Sequence, residues 1–117
     1  AFPAGSLHTI AIKANPLVEV LRVIVSCGCG LEAASFEEVR LALAAGCAAD
    51  RIVYDSPAKT AAELRDALEL GVRINADSCR ELDRIIQLRP AGSQSIVGRR
   101  VNPLTGDGSI PMTSGAY

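Results

Sequence analysis

Leu31-Glu32-Ala33-Ala34-Ser35-Phe36-Glu37-Glu38-Val39-Arg40-Leu41-Ala42-Leu43-Ala44-Ala45-Gly46 is one complete structural sentence. Leu31 to Ala34 reads as a short strand. Ser35 and Glu38 stand at the S-x-x-E spacing of a capping box, in which the serine oxygen and the glutamate carboxylate each accept an N–H of the first helical turn. Val39, Ala42 and Leu43 recur at i, i+3 and i+4, so they share one helix face, and Gly46 supplies the stop. The same phrase repeats in both directions. Upstream, Thr9 to Ile12 is a strand, Asn15 caps a helix with Pro16 at its first position, Leu17, Val20, Leu21 and Ile24 form its apolar stripe, and Gly28 ends it. Downstream, Ile52-Val53-Tyr54 is a strand, Thr60 and Glu63 a second box, Leu64, Ala67 and Leu68 the stripe, and Gly71 the stop. Val72 to Asn75 is a fourth strand, Ser78 and Glu81 a third box, Leu82, Ile85 and Ile86 the apolar face, and Pro90 the end. Ile96 to Val101 is a fifth strand. The Thr60 and Ser78 boxes are read as caps and nothing more.

Strands alternating with amphipathic helices require crossover connections, hence a parallel sheet and an α/β fold. No G-x-G-x-x-G follows the first strand and no Walker lysine loop is present, which removes the usual grounds for a nucleotide-binding open sheet. A parallel (β/α)8 TIM-type barrel is favoured. At 117 residues the chain falls well short of the about 250 of a complete barrel, so it supplies about the first five strands. In such a barrel chemistry sits at the carboxyl ends of the strands, where Lys13, Ser35, Asp55 and Asp77 fall.

Lys13 stands out among these. It ends the run Thr9-Ile10-Ala11-Ile12, and strand alternation puts it on the side of Thr9 and Ala11, whose small side chains leave room for a cofactor. A lysine amine desolvated in such a pocket is a competent Schiff-base nucleophile. Other chemistries find little footing. The net charge is −1 with both signs interspersed and aromatics make up 3%, so neither a nucleic-acid stripe nor a base-stacking platform is present. No apolar run approaches the about 18 residues of a membrane span, and the start, Ala1 to Ser6, has no signal-peptide pattern, which makes a cytoplasmic setting the default. Cys27 and Cys29 form only a C-x-C pair, Cys47 and Cys79 are isolated, and His8 is the single histidine, so reduced thiols are expected and no metal site.

The residues at the strand ends carry a family resemblance. Ala11-Ile12-Lys13-Ala14-Asn15-Pro16 resembles the lysine motif of the fold-type III pyridoxal phosphate decarboxylases. Glu32-Ala33-Ala34-Ser35 with Glu38, Asp55-Ser56-Pro57-Ala58-Lys59-Thr60, Asn75-Ala76-Asp77-Ser78 and Arg100-Val101-Asn102-Pro103 resemble the motifs of the following four strands, in order, over about residues 7 to 103. The pattern is most similar to diaminopimelate decarboxylases, with ornithine, lysine and arginine decarboxylases behind them. The resemblance implies that Lys13 holds pyridoxal 5'-phosphate, with Glu32 and Glu38 near the lysine, Ser35 near the cofactor and Arg100 near the ring edge. It implies an amino-acid substrate and a homodimer. Glu32 departs from the aspartate frequent at its position. Arg99 precedes Arg100, and register decides which of the two faces the barrel interior.

The family's pyridinium-binding acid, glycine-rich phosphate loop, stacked histidine and carboxyl-terminal β-domain come from later segments. Residues 1–117 therefore read as the amino-terminal part of a pyridoxal-phosphate-binding barrel domain, ending at Ser114-Gly115-Ala116-Tyr117, and activity is not expected of this segment alone. Its open sheet edges should associate with a missing segment or with another copy. Two other readings remain beside the decarboxylase: a barrel racemase or cofactor carrier using the same lysine, and a noncatalytic relative that keeps the fold for protein binding.

Overall fold

The computed structural model describes residues 2–101. The elements alternate as expected: β1 (Thr9–Ala11), α1 (Val18–Ser26), β2 (Gly30–Ala33), α2 (Phe36–Ala44), β3 (Ile52–Tyr54), α3 (Ala61–Leu70), β4 (Arg73–Ala76), α4 (Cys79–Leu88) and β5 (Val97–Arg99). All four neighbouring strand pairs are parallel and the sheet order is β1-β2-β3-β4-β5. Each strand pairs with the next in sequence and the order never reverses. A doubly wound sheet switches direction to cover both faces; successive right-handed crossovers without a switch lay the helices on one face, as in the first five staves of a (β/α)8 barrel.

Strand alternation then divides the sheet. Leu31 and Ala33 of β2, Ile52 and Tyr54 of β3, and Ile74 and Ala76 of β4 are fully buried on the helical side. They pack with Leu21 of α1, Val39 and Ala42 of α2, Leu64, Ala67 and Leu68 of α3 and Ile85 of α4 in one apolar cluster. The intervening residues, Glu32, Val53, Arg73 and Asn75, are only half-buried and form the opposite, inner face. Gly98 of β5 stands against Asn75, and a Cβ there would lie 2.6 Å from Asn75 Oδ1. The glycine lets that side chain cross the inner face.

The caps at Ser35, Thr60 and Ser78 form as expected, each side-chain oxygen accepting from the N–H three residues on. Only Thr60 and Glu63 close a reciprocal capping box. Gly71, at φ 78°, ends α3 in the left-handed conformation. The first unit departs from the sequence reading. The strand stops at Ala11, and a 3-10 turn over Ile12–Ala14 is closed by Asn15 N donating to Ile12 O at 2.9 Å. That turn buries Ile12 completely and takes Asn15, the expected helix cap, as its own C-cap. Leu17, not Asn15, is the N-cap residue of α1, Pro16 lies before the helix, and Asn15 Oδ1 accepts from Leu17 N at 3.2 Å within the connecting loop. The fifth strand is shorter than the expected 96–101. Asn102 and Pro103 of its motif, and the stretch 114–117, lie outside the described residues.

Candidate active site

The carboxyl ends of the five strands gather most of the chemistry. Lys13 sits in the 3-10 turn directly after β1, so strand alternation no longer fixes its direction; the buried Ile12 anchors the turn and leaves the Lys13 side chain exposed. The described residues do not bury its amine, and none of them hydrogen-bonds it. Glu32 lies on β2 between Ala11 of β1 and Val53 of β3, on the inner face. Burial pushes its carboxyl above the ordinary 4.5; the nearby Lys13 ammonium pulls it back, Asp55 and Glu38 push it up, and Arg100 pulls it down. Lys13, Glu32, Glu38, Asp55 and Arg100 are thus within electrostatic reach of one point.

Each of these groups is held by its own turn. Ser35 Oγ accepts from Glu38 N at 3.2 Å, and Glu38 Oε2 accepts from Ala34 N at 2.7 Å, so the Glu38 carboxylate folds back onto the end of β2. Asp55 continues β3, its N–H donating to Ala33 O at 2.9 Å. Its Oδ1 is buried and has no hydrogen-bond partner among the described residues. Register resolves the two arginines. Arg99 pairs with Ala76, a helix-side position, whereas Arg100, one residue on, falls on the inner side with Asn75 and Gly98. Arg100 N donates to Ala76 O at 2.8 Å, and its guanidinium lies 3.6 Å from Asp77 Oδ1.

One constellation escaped the sequence reading. Lys59 is 5% exposed and its Nζ donates to Ser56 O at 2.7 Å, Asn75 O at 2.9 Å and Glu81 Oε2 at 2.8 Å. It also lies 5.6 Å from the centre of the Tyr54 ring, a cation–π contact. The Ser78–Glu81 cap is therefore more than a cap: Glu81 Oε2 accepts from both Lys59 Nζ and Asp77 N. The two partners are 22 residues apart, and Lys59 stands beside a helix cap in a loop, where a lysine ordinarily faces water. The only sequence signal is its place, at the carboxyl end of a strand whose neighbour ends in an acid-bearing turn.

Other features lie elsewhere. The four cysteines are free thiols, Cys47 buried, Cys29 half-buried, Cys27 and Cys79 exposed. Among the described residues no cluster of three His, Cys, Asp or Glu could hold a metal ion, and no helix is long and apolar enough to cross a membrane. A groove of about 400 Å3 between α2 and α3, lined by Phe36, Arg40, Leu43, Asp66, Glu69 and Leu70, shares no residue with the Lys13 cluster.

Known proteins are similar to this chain over most of its length. The family described as pyridoxal-dependent decarboxylase, pyridoxal binding domain, matches residues 2–116. A diaminopimelate decarboxylase of Methanothermobacter thermautotrophicus is 42% identical over 98 residues, 84% of this chain and 22% of the relative. One of Pseudomonas fluorescens is 38% identical over 115 residues, 94% of this chain and 28% of the relative. Among solved structures, diaminopimelate decarboxylase of M. jannaschii superposes with a TM-score of 0.79 at 27% identity, covering 91% of this chain and 25% of that one. The Helicobacter pylori enzyme complexed with L-lysine gives 0.68 at 33% identity over 71% of this chain and 21% of that one. The chain spans about a quarter of the length of the curated relatives it matches.

Proposed function

The chain belongs to the pyridoxal-dependent decarboxylases, through their pyridoxal binding domain, and from that premise we propose that it is the cofactor-binding barrel segment of a diaminopimelate decarboxylase, which releases CO2 and forms lysine. Residues 1–117 are the amino-terminal part of the barrel domain in this reading, and the carboxyl-terminal half of the barrel and a β-domain complete the enzyme. The observation that carries it is the gathering of Lys13, Glu32, Glu38, Asp55 and Arg100 at the carboxyl-end rim of the parallel sheet, around β1, β2, β3 and β5.

These residues fit pyridoxal 5'-phosphate. Lys13 offers an exposed primary amine between the small residues Ala11 and Ala14, and the buried Asp55 Oδ1, unpartnered among the described residues, marks a place for a donor they do not supply. Bound pyridoxal phosphate contributes an electron sink for the pair released when the bond from Cα to the carboxylate breaks. Lys13 would hold the cofactor covalently through its amine and, once released, would be the base nearest the substrate amine. Glu32 and Glu38 set the charge around that amine, and burial raises the Glu32 carboxyl above the ordinary carboxylate range while the Lys13 ammonium opposes it. Ser35 orients Glu38 and lines the cofactor side of the second turn. Arg100, tethered by Asp77, would stand toward the ring edge. The enzyme acts as a homodimer on a small amino acid in the cytoplasm, a compartment in keeping with four free thiols.

The test is an absorbance scan of the full-length protein with added pyridoxal phosphate, borohydride trapping with peptide mapping, and CO2 release from diaminopimelate. A visible band lost in Lys13→Ala, an adduct on the Lys13 peptide and CO2 from diaminopimelate are expected. Labelling spread over Lys59 and other sites, unchanged in Lys13→Ala, overturns the cofactor role. CO2 from ornithine or arginine alone overturns the substrate.

A further inference from the structure

The β3–β4 ladder ends early. β3 and β4 pair only at Val53 with Arg73 and Tyr54 with Ile74, whereas β4 continues its pairing with β5 through Asn75 and Ala76. On its β3 side, therefore, the end of β4 has no ladder, and buried carbonyls there need another donor. The Lys59 ammonium fills this gap. It donates to Ser56 O on the β3 side and to Asn75 O on the β4 side, and it holds Glu81, whose same oxygen accepts from Asp77 N. The ion pair thus grips β4 on both sides of Ala76, at the carbonyl before it and the amide after it. Ala76 O in turn accepts from Arg100 N, and the Asp77 carboxylate faces the Arg100 guanidinium at 3.6 Å.

We propose that Lys59 and Glu81 are positioning residues: they staple the split between β3 and β4 and, through Asp77, fix the Arg100 guanidinium at the inner rim. Three of the four hydrogen bonds of this network involve a backbone atom, so the ion pair sets the strand ends themselves and not only a side chain. Apolar side chains of the same volume fill the gap without the desolvation cost of a buried ion pair, but they have no direction. Three acceptors around one ammonium fix the spacing of two strand ends and a helix start.

The inference rests on the reading of Arg100 as a cofactor-side residue, and its test separates the two. In the full-length protein, pyridoxal phosphate is titrated into wild type, Lys59→Met, Arg100→Ala and the double variant, and hydrogen exchange is followed on the peptides carrying Asp77 and Arg100. Lys59→Met should weaken cofactor binding about tenfold, a loss of about 1.4 kcal/mol, and should add little once Arg100 is Ala, because the effect runs through that residue. Exchange at Asp77 and Arg100 should accelerate at least about tenfold. Ile85→Ala, a cavity on the buried face of α4, controls for lost stability: it lowers Tm without changing cofactor affinity. Glu81→Gln, which keeps an acceptor for Asp77 N, serves if Lys59→Met does not fold, with changes in the same direction. Wild-type affinity in Lys59→Met, or an effect that adds in full to that of Arg100→Ala, overturns the proposal. A wild type that takes no cofactor at Lys13 overturns the cofactor reading instead, and the exchange data then decide the staple: unchanged protection at Asp77 and Arg100 sinks it, and faster exchange supports it.

Discussion

The second and fourth units carry the same four-residue signature as the third, yet they use it differently. After β3 the chain takes the loop Asp55 to Thr60 before α3 begins, and Glu63 Oε2 closes locally on Thr60 N at 2.7 Å and Thr60 Oγ1 at 2.8 Å, both exposed. After β2 and β4 only two residues, Ala34-Ser35 and Asp77-Ser78, separate strand from helix. There the glutamate reaches one residue further back: Glu38 takes Ala34 N at 2.7 Å and Glu81 takes Asp77 N at 2.9 Å. A tight strand-to-helix turn leaves the N–H before the cap pointing into the sheet rim, and the carboxylate follows it inward. A serine or threonine three residues before a glutamate therefore announces a helix start in all three units, while loop length decides whether its acid faces water or the inner rim of the barrel.

That contrast is broken most severely at Glu81. Glu81→Ala leaves the buried Lys59 ammonium without its carboxylate and Asp77 N without an acceptor, and loss of one partner of a buried pair costs about 3–5 kcal/mol. The urea midpoint should fall accordingly, and a fall as small as that of an exposed cap means that the inward reach of this carboxylate contributes nothing. Glu38→Ala comes next. It strands the half-buried Ala34 N–H, at about 1–3 kcal/mol, with no buried cation left behind. Glu63→Ala should cost only about 0.5 kcal/mol, since water replaces the carboxylate at exposed Thr60. If the three midpoints shift equally, the distinction between the inward and outward boxes is wrong.

The parts legible from sequence are those whose causes are local. The starts of α2, α3 and α4 follow from a cap oxygen, a carboxylate three residues on and an apolar stripe, all within one or two helical turns, and the pairing of sequential strands follows from the alternation of elements. Lys13 is legible as a candidate because its place at a strand end and its chemistry are both local facts. Asn15-Pro16 misled because the same dipeptide suits a helix start and a loop; what decides is that Ile12 has a buried site to fill, which only the packed structure supplies. Lys59 with Glu81 was hidden for the corresponding reason. The interaction spans two β/α units, and no periodicity of either unit encodes where a neighbouring ladder stops. Arg99 and Arg100 differ only by register, which their own sequence does not contain and the pairing of Ala76 with Arg99 settles.

The smallest effect has the opposite sign and tests the inner rim itself. The Glu32 carboxyl is raised above 4.5 chiefly by burial, with Lys13 opposing, so the folded chain holds this proton more tightly than the unfolded chain does. The sign of the linkage follows: the Glu32 contribution to stability is present in full below pH 4.5 and is lost as pH rises through the raised value. Glu32→Gln is neutral throughout. Its urea midpoint should match wild type below that window and exceed it above, the difference opening with pH and then levelling off. A midpoint that instead falls below wild type as pH rises means that Lys13 and Arg100 outweigh burial at this carboxylate. The inner rim then stabilises an ionised acid, as the outward cap at Glu63 does, and the contrast between the two faces of the unit fails at its most central residue.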